Sequence, residues 1–476
     1  MSVFPSSSLY IGSTLIIVLN GYDVIREAFM HRADVFTDRP RLFIDEASVF
    51  YFQSMLFNVY TTRMDLKRRW NISFENKKIT LNLFQVSGYA GTGVICSSGA
   101  NWKEQRTVSL NILKSFGMGS SGLEGKVREE MEHYLEFLKS LNGHPADISL
   151  RTYMSTSNII FSMTFGQRFK YSDKTFENIV KLMEYNISLI QLTGLVNFFP
   201  ALHYAPGDPC KSRKLISNAR EVAETLRNLC LKMKNDNTSN NKSGDFISAY
   251  FSEAEKRSIT GKETFMDETN LTKILVDLFA AGTDTTSVTI MWCILYVLHC
   301  PDVQEKIHAE IEREIGSTRS PTLEDKTKLV YLNAVIMETQ RLCSIVPYGV
   351  PHTCTEETRL KGYTVPKGSF ILSSLDSVLL DEKTWGLDAA KFKPERFITP
   401  SGQLRSRKEF LPFGFGRRMC LGKSLAKMEL FLFLSNMFQR FSFLPQEPGT
   451  VPPLKETFGL VRAPRKFLVR VVDKNK

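Results

Sequence analysis

From about residue 100 onward, apolar side chains recur every three or four positions, the spacing that gathers them on one face of an α-helix. That spacing predicts helices over 101–114, 122–141, 150–165, 174–192, 210–235, 267–299, 301–315 and 328–343, and a further one after Gly422. Strand-like segments are short: 10–19, 359–365 ("RLKGYTV"), 368–373 and the C-terminal 455–472. Within 9–29 a β-branched run followed by Asn20-Gly21 predicts strand, turn and helix. The polar stretch "KNDNTSNNKSGD" (234–245) predicts an exposed loop, and no internal repeat is visible. The expected fold is mainly α, one large helical domain around a long central helix, with small β-sheets.

Residues 267–300 carry the longest helical pattern and are apolar on nearly every face after Leu275, as befits a helix at the centre of a large domain. Its middle nevertheless reads Ala281-Gly282-Thr283-Asp284-Thr285-Thr286. Glycine inside a helix costs about 1 kcal/mol relative to alanine, and an unpaired buried polar group roughly 1–3 kcal/mol. Local structure is weakened where burial is deepest. Taken alone, the stretch fits two readings: a functional site, or a Thr-rich helix whose hydroxyls bond back to the preceding turn.

Composition narrows the function classes. At 476 residues and 43% hydrophobic content the chain can bury a large core. Lys plus Arg exceed Asp plus Glu by 11 (61 against 50), spread along the chain, which suits an acidic protein partner or an anionic membrane surface better than nucleic acid. No run reaches the roughly 18–20 consecutive apolar residues of a membrane span. The eight cysteines lie far apart, with neither a CxxC pair nor a secretory leader, and are expected to be reduced in a chain facing the cytosol.

One cysteine differs. Cys420 lies in "PFGFGRRMCLGKSLAKMELFLF" (412–433), a loop rich in glycine and arginine that leads into an apolar helical pattern. A thiolate persists where backbone N–H groups and cations offset its charge, and it is a good ligand for iron. Gly414, Gly416 and Gly422 let the backbone wrap the sulfur, and the helix starting near Leu421 turns its positive dipole end toward it. Arg417 and Arg418 add charge, and Phe413 shields the sulfur. A zinc site lacks companions, since His352 and Cys354 lie more than 60 residues upstream. A cysteine nucleophile lacks a histidine in a suitable context.

Phe413-Gly414-Phe415-Gly416-Arg417-Arg418-Met419-Cys420-Leu421-Gly422 resembles the haem-binding signature of the cytochromes P-450, FxxGxRxCxG. Four other stretches match that family in order: the AGx(D/E)T(T/S) run at 281–286, ExxR at Glu338-Thr339-Gln340-Arg341, a PERF segment at Pro394-Glu395-Arg396-Phe397, and "WKEQR" at 102–106. The wording is similar to the animal microsomal branch, family two, that oxidises drugs, fatty acids and steroids, over about 9–45 and 92–472.

The resemblance implies a monooxygenase that binds haem b through Cys420 and inserts one oxygen atom from O2 into a lipophilic substrate. Trp102, Arg106, His352 and Arg418 would hold the haem propionates, with Phe413 beside the sulfur. Asp284 and Thr285 would deliver protons, and Gly282 would leave room for dioxygen. Glu338, Arg341 and Arg396 would form a buried structural cluster. Phe279, Ala280, Val346, Val350 and Phe458 would touch the substrate. Electrons from NADPH would arrive through a cytochrome reductase, with a cytochrome b-type donor as a second source, docking on Lys103, Lys114, Arg417, Lys423 and Lys427. The apolar loop "LTGLVNFFPALHY" (192–204) would dip into the endoplasmic reticulum membrane from its cytoplasmic face.

Two departures qualify this expectation. The whole chain, 1–476, reads as a single domain that begins almost at the first sheet, without the branch's N-terminal anchor, and 48–91 reads as an atypical insertion. Two other functions are therefore weighed: a haem-thiolate isomerase or dehydratase, against which the Asp284-Thr285 pair argues, and a haem-binding protein inactivated by the insertion.

Overall fold

The computed structural model describes residues 6–42, 91–118, 121–237, 244–405, 407–457 and 461–474. The stretch 48–91, Gly91 excepted, and Phe458 lie outside the described residues. Ten helices of at least 14 residues appear among those described: α1 Gly99–Ser115, α2 Ser121–Ser140, α3 Ser149–Thr164, α4 Lys174–Thr193, α5 Ser212–Asn237, α6 Phe246–Ile259, α7 Glu268–His299, α8 Pro301–Glu314, α9 Val330–Cys343 and α10 Lys423–Arg440. Nine follow the predicted spans to within two or three residues. The tenth, α6, has no counterpart among those spans; Asp245 starts it by accepting a hydrogen bond from Ser248 N at 2.8 Å. Helix α5 continues to Asn237, so the polar stretch opens as helix rather than loop.

The 32-residue α7 is the axis of the domain. Asp267 caps it, accepting from Asn270 N at 2.7 Å, and the helix then packs on α3, α9 and α10, which leaves little of it facing solvent. It is long and apolar enough to cross a bilayer, but 78% of its most apolar stretch is buried within the protein. Pro301 cannot continue an interior helix and instead opens α8.

Among the described residues four small sheets accompany the helices. Strands β1 (Ser6–Ile11), β2 (Thr14–Asn20), β4 (His352–Thr353) and β7 (Phe370–Ser374) form one in the order β1-β2-β7-β4, with β2 parallel to β7. The others pair β3 (Pro145–Ala146) and β8 (Phe441–Pro445) with β11 (Val469–Asp473), β5 (Thr358–Leu360) with β6 (Tyr363–Val365), and β9 (Glu456–Thr457) with β10 (Ala463–Pro464). Two predicted strands are in fact hairpins. The chain reverses after Ile11, and again at Lys361-Gly362, where both residues take positive φ as a type I′ turn requires. None of the eight cysteines forms a disulfide; four are buried, and Cys96, Cys210 and Cys300 are partly so.

Candidate functional site

A cavity of about 300 Å³ joins the loop before α10, the middle of α7, Arg106 and Leu113 of α1 and the segment leading into β4. Cys420 opens onto it and is otherwise enclosed by protein. Its backbone N–H donates to Phe413 O at 2.9 Å, which folds the loop back on itself. Gly416, at φ 72°, cannot be replaced: a Cβ there would lie 2.2 Å from Phe29 O. Helix α10 begins at Lys423, two residues later than predicted.

Burial pushes the Cys420 thiol up, while Gly422 N–H, Arg106 and Lys423 pull it down less strongly. The loop alone therefore leaves a thiol, and a cation at the sulfur completes ionisation. The charges acting on it are not the expected pair. Arg417 instead meets Asp34 on the surface, and Arg418 turns to Thr37 O and Ser97 O at 2.9 and 2.6 Å.

Cations gather along the cavity, with Asp38 offsetting only part of the charge on Arg418. Arg106 Nη2 donates to Met419 O at 2.6 Å, and the Arg418 guanidinium lies 3.9 Å from the centre of the Trp102 ring. Trp102 is buried and its Nε1–H has no partner. His352 sits with Nδ1 2.7 Å from Phe36 O. Burial, then repulsion from Arg39, pushes Arg418 down to about 8 and His352 down to about 2. An orphaned indole N–H among cations that exceed their counter-charge fits a ligand with two carboxylates, and the apolar walls fit a flat, lipophilic body.

On α7 the cavity face is Leu278, Ala281, Gly282, Thr285, Thr286 and Thr289, a stripe at helical spacing. Phe279 and Ala280 lie beside that stripe and do not line the cavity, contrary to expectation. Phe279 is buried against Phe161 of α3, ring centres 4.9 Å apart. Val346 and Val350 do line it. Gly282 lines it as well, but a Cβ there would lie 2.4 Å from Ile160 Cδ1, so the missing side chain first of all admits α3.

Thr285 faces the cavity and donates to Ala281 O at 2.7 Å, and Ser287 and Thr289 bond back to their preceding turns in the same way. Asp284 points elsewhere: it is buried, it does not line the cavity, and its Oδ2 has no partner. Burial first, and Glu184 second, raise its carboxyl to about 7. A raised acid pKa costs stability above the unfolded value, so stability falls as pH rises from about 4 to 7, by roughly 4 kcal/mol in all. Urea titrations of wild type and Asp284→Asn across pH 4–8 should diverge over that window and run parallel above it; a constant offset would refute the assignment.

Glu338, Arg341 and Arg396 meet in a cluster that is not part of the cavity lining, Glu338 and Arg341 fully buried and Arg396 largely so. Arg341 forks onto Glu338 at 2.7 and 2.9 Å, and Arg396 Nε donates to Glu338 Oε1 at 2.8 Å.

Sequence reasoning missed three residues. Asp277 of α7 accepts from Val94 N and Ile95 N at 2.8 and 3.0 Å, pinning a cavity wall. Glu429 of α10 lines the cavity, with burial raising its carboxyl to about 8 despite a bond with Thr286. An acid in each apolar helix was the available signal. Arg39, the third, gave none.

A sequence profile described as Cytochrome P450 matches residues 73–471, beginning inside the stretch set apart as 48–91. Cytochrome P450 2U1 of Mus musculus is 35% identical over 466 residues, covering 98% of this chain and 80% of that protein. Cytochrome P450 2J3 of Rattus norvegicus is 38% identical over 379 residues, covering 78% and 73%. Cytochrome P450 2E1 of Oryctolagus cuniculus is 32% identical over 476 residues, covering 99% and 87%.

Proposed function

The chain belongs to family two of the cytochromes P450, and from that premise we propose that it oxidises a lipophilic substrate of the fatty-acid, steroid or xenobiotic kind at the cavity beside Cys420. As a haem-thiolate monooxygenase it uses haem b, O2 and NADPH-derived electrons, and the bound haem supplies the dioxygen chemistry. The observation that carries the reading is a single cavity onto which Cys420, the Thr285 stripe of α7 and the cation cluster all open.

Each group then has a task. Cys420 would hold the iron through its sulfur, with Phe413 lining the cavity beside it, and Trp102 Nε1–H, Arg106, Arg418 and His352 would receive the propionates. The Thr285 hydroxyl donates to Ala281 O and keeps its lone pairs for a proton donor in the cavity. Asp284, poised near neutrality but turned away from the cavity, holds a proton that reaches the site only through ordered water. Val346, Val350 and Leu278 give the substrate apolar contact.

Electrons come from an NADPH-dependent reductase or a cytochrome b-type donor. Lys103, Lys114 and Lys427 are exposed for such docking. Within 192–204 the chain forms two 3₁₀ turns that expose Leu195, Phe199 and Tyr204, with Phe199 against Gly12 and with Leu9 and Tyr10 exposed on β1. This apolar patch and the basic surplus support peripheral contact with the cytoplasmic face of the endoplasmic reticulum membrane.

The test is product formation. Full-length protein with a reductase in phospholipid vesicles, supplied with NADPH and a long-chain fatty acid, should yield hydroxylated product; NADPH oxidation without product from fatty acids, steroids or drugs would refute the reading. Thr285→Val should keep haem but lower product per NADPH by about tenfold or more, with peroxide released instead.

A further inference from the structure

We propose that Arg462, ion-paired with Asp376, is a positioning residue that sets the substrate-facing wall of the cavity formed by Ile345, Val346 and Leu375. The inference rests on the reading of that cavity as the site of a lipophilic substrate. Arg462 does not line the cavity itself; it stands behind the wall, just before β10, with its side chain largely buried.

The wall consists of two segments with little regular structure of their own. One leaves α9 through Ser344, a buried residue at φ 38°, in the left-handed region that a side chain disfavours. Beyond that reversal Ile345 and Val346 reach the cavity. The other segment follows β7, where Leu375 lines the cavity and Asp376 opens a helical turn, Asp376–Leu379. The two meet where Leu375 N–H donates to Pro347 O at 2.7 Å.

Arg462 joins both segments to the central helix. Its backbone N–H donates to Ile345 O at 2.8 Å and its Nη1 to Cys343 O at 3.3 Å, so it grips the chain on either side of Ser344. Nη2 donates to Asp376 Oδ2 at 2.6 Å, one residue beyond Leu375. Its carbonyl accepts from Trp292 Nε1 of α7 at 2.9 Å, three residues along that helix from the cavity residue Thr289. Nε lies 3.0 Å from Glu456 Oε2 on β9. A charge-assisted hydrogen bond held partly away from water fixes geometry more firmly than a neutral one. Without it the 343–347 and 375–376 segments lose their common tie, and apolar contact along the wall loosens. None of these bonds involves the Cys420 loop or the cations around Trp102, so the iron side of the cavity should stay as it is.

The test uses the haem-loaded full chain and two probes, imidazole and 1-dodecylimidazole, each titrated by the shift of the Soret band. Each presents a ring nitrogen to the iron, but only the second lays an alkyl chain along the wall, and wild type should bind it about a hundredfold more tightly or better. Arg462→Met should leave imidazole binding unchanged and weaken 1-dodecylimidazole about tenfold, the contact of roughly two methylene groups. Asp376→Asn should weaken it by a similar factor, and the double variant by no more than Arg462→Met alone, as partners in one interaction do. Arg462→Lys, which keeps the charge, should stay within about threefold of wild type. Asp376 is the more exposed partner, so Asp376→Asn decides the matter if Arg462→Met does not fold. Equal weakening of both probes would make the pair a prop for the fold as a whole, and unchanged 1-dodecylimidazole binding in Asp376→Asn would remove the role; either overturns the inference while the cavity reading stands. A wild type that binds both probes equally has no lipophilic site beside the iron, which overturns that reading and the inference with it.

Discussion

Replacing Cys420 by alanine should abolish the reduced, carbon monoxide-bound band typical of thiolate-ligated haem and take product formation to the uncatalysed background, with the fold intact. Two features of the site make this effect large and specific. The Cys420 side chain spends its exposed surface on the cavity, so its removal leaves no void in the packed core, and stability should change by less than about 0.5 kcal/mol. The chemistry, by contrast, rests on that sulfur, since Cys420 is the only cysteine among the described residues that lines the cavity. Thiolate donation to iron is what favours O–O cleavage, so haem held by contacts alone would lack it. Circular dichroism and urea titration of the haem-free proteins, with difference spectra of the loaded ones, separate the two effects. A thiolate-type band surviving in Cys420→Ala would refute the assignment of the ligand. Partial retention of haem in the variant would be expected, because Trp102, Arg106 and Arg418 do not depend on the sulfur.

How much of this site the sequence displays depends on how local each signal is. The Cys420 loop is contiguous and its glycines and cysteine stand at fixed offsets, so it is legible in the chain of residues alone. The long helices are legible too, because each carries its own periodicity over three or more turns. Errors arise where a neighbour decides. Phe279 and Ala280 are adjacent in sequence to the cavity stripe, but one or two residues along a helix is 100° or 200° around it, and Phe279 turns to Phe161 instead. Proximity along the chain assigns Arg417 and Arg418 to the sulfur, while Arg106, far upstream, bonds the carbonyl of Met419. Arg39 and Asp277 owe their roles to backbone groups far away in sequence, and nothing in their local context marks them. The missed hairpins have a different cause: positive φ at Lys361 is a property of the turn, and lysine is an uncommon residue to carry it.

The second large effect is expected in folding rather than chemistry: Glu338→Gln should leave little folded protein able to take up haem. Glu338 is fully buried and accepts four hydrogen bonds, two from the Arg341 fork, one from Arg396 Nε and one from Lys393 N at 2.9 Å. Arg341 is also fully buried and spends its remaining donors on Leu379 O and Ala389 O, both at 2.7 Å; Arg396 spends its own on Trp385 O and Asp388 O. One carboxylate thus faces two guanidiniums that also tie down the chain from 379 to 396. Glutamine matches the shape but removes the buried negative charge from the cluster's centre, leaving Arg396 only the part-exposed Asp388 carboxylate at 3.4 Å, and turns an NH2 group toward donors. Breaking a buried pair by neutralising one partner costs about 3–5 kcal/mol, a large share of the roughly 5–15 kcal/mol that holds a domain together. Glu338→Asp should be milder, since it keeps the charge and loses reach. Because this cluster is not part of the cavity lining, any Glu338→Gln protein that does fold should show an ordinary thiolate-type spectrum, with a lower urea midpoint. Wild-type stability in Glu338→Gln would show that the backbone carbonyls and Asp388 satisfy the two arginines without it. A normal midpoint with an altered spectrum would instead place Glu338 in the haem site, which the buried geometry opposes.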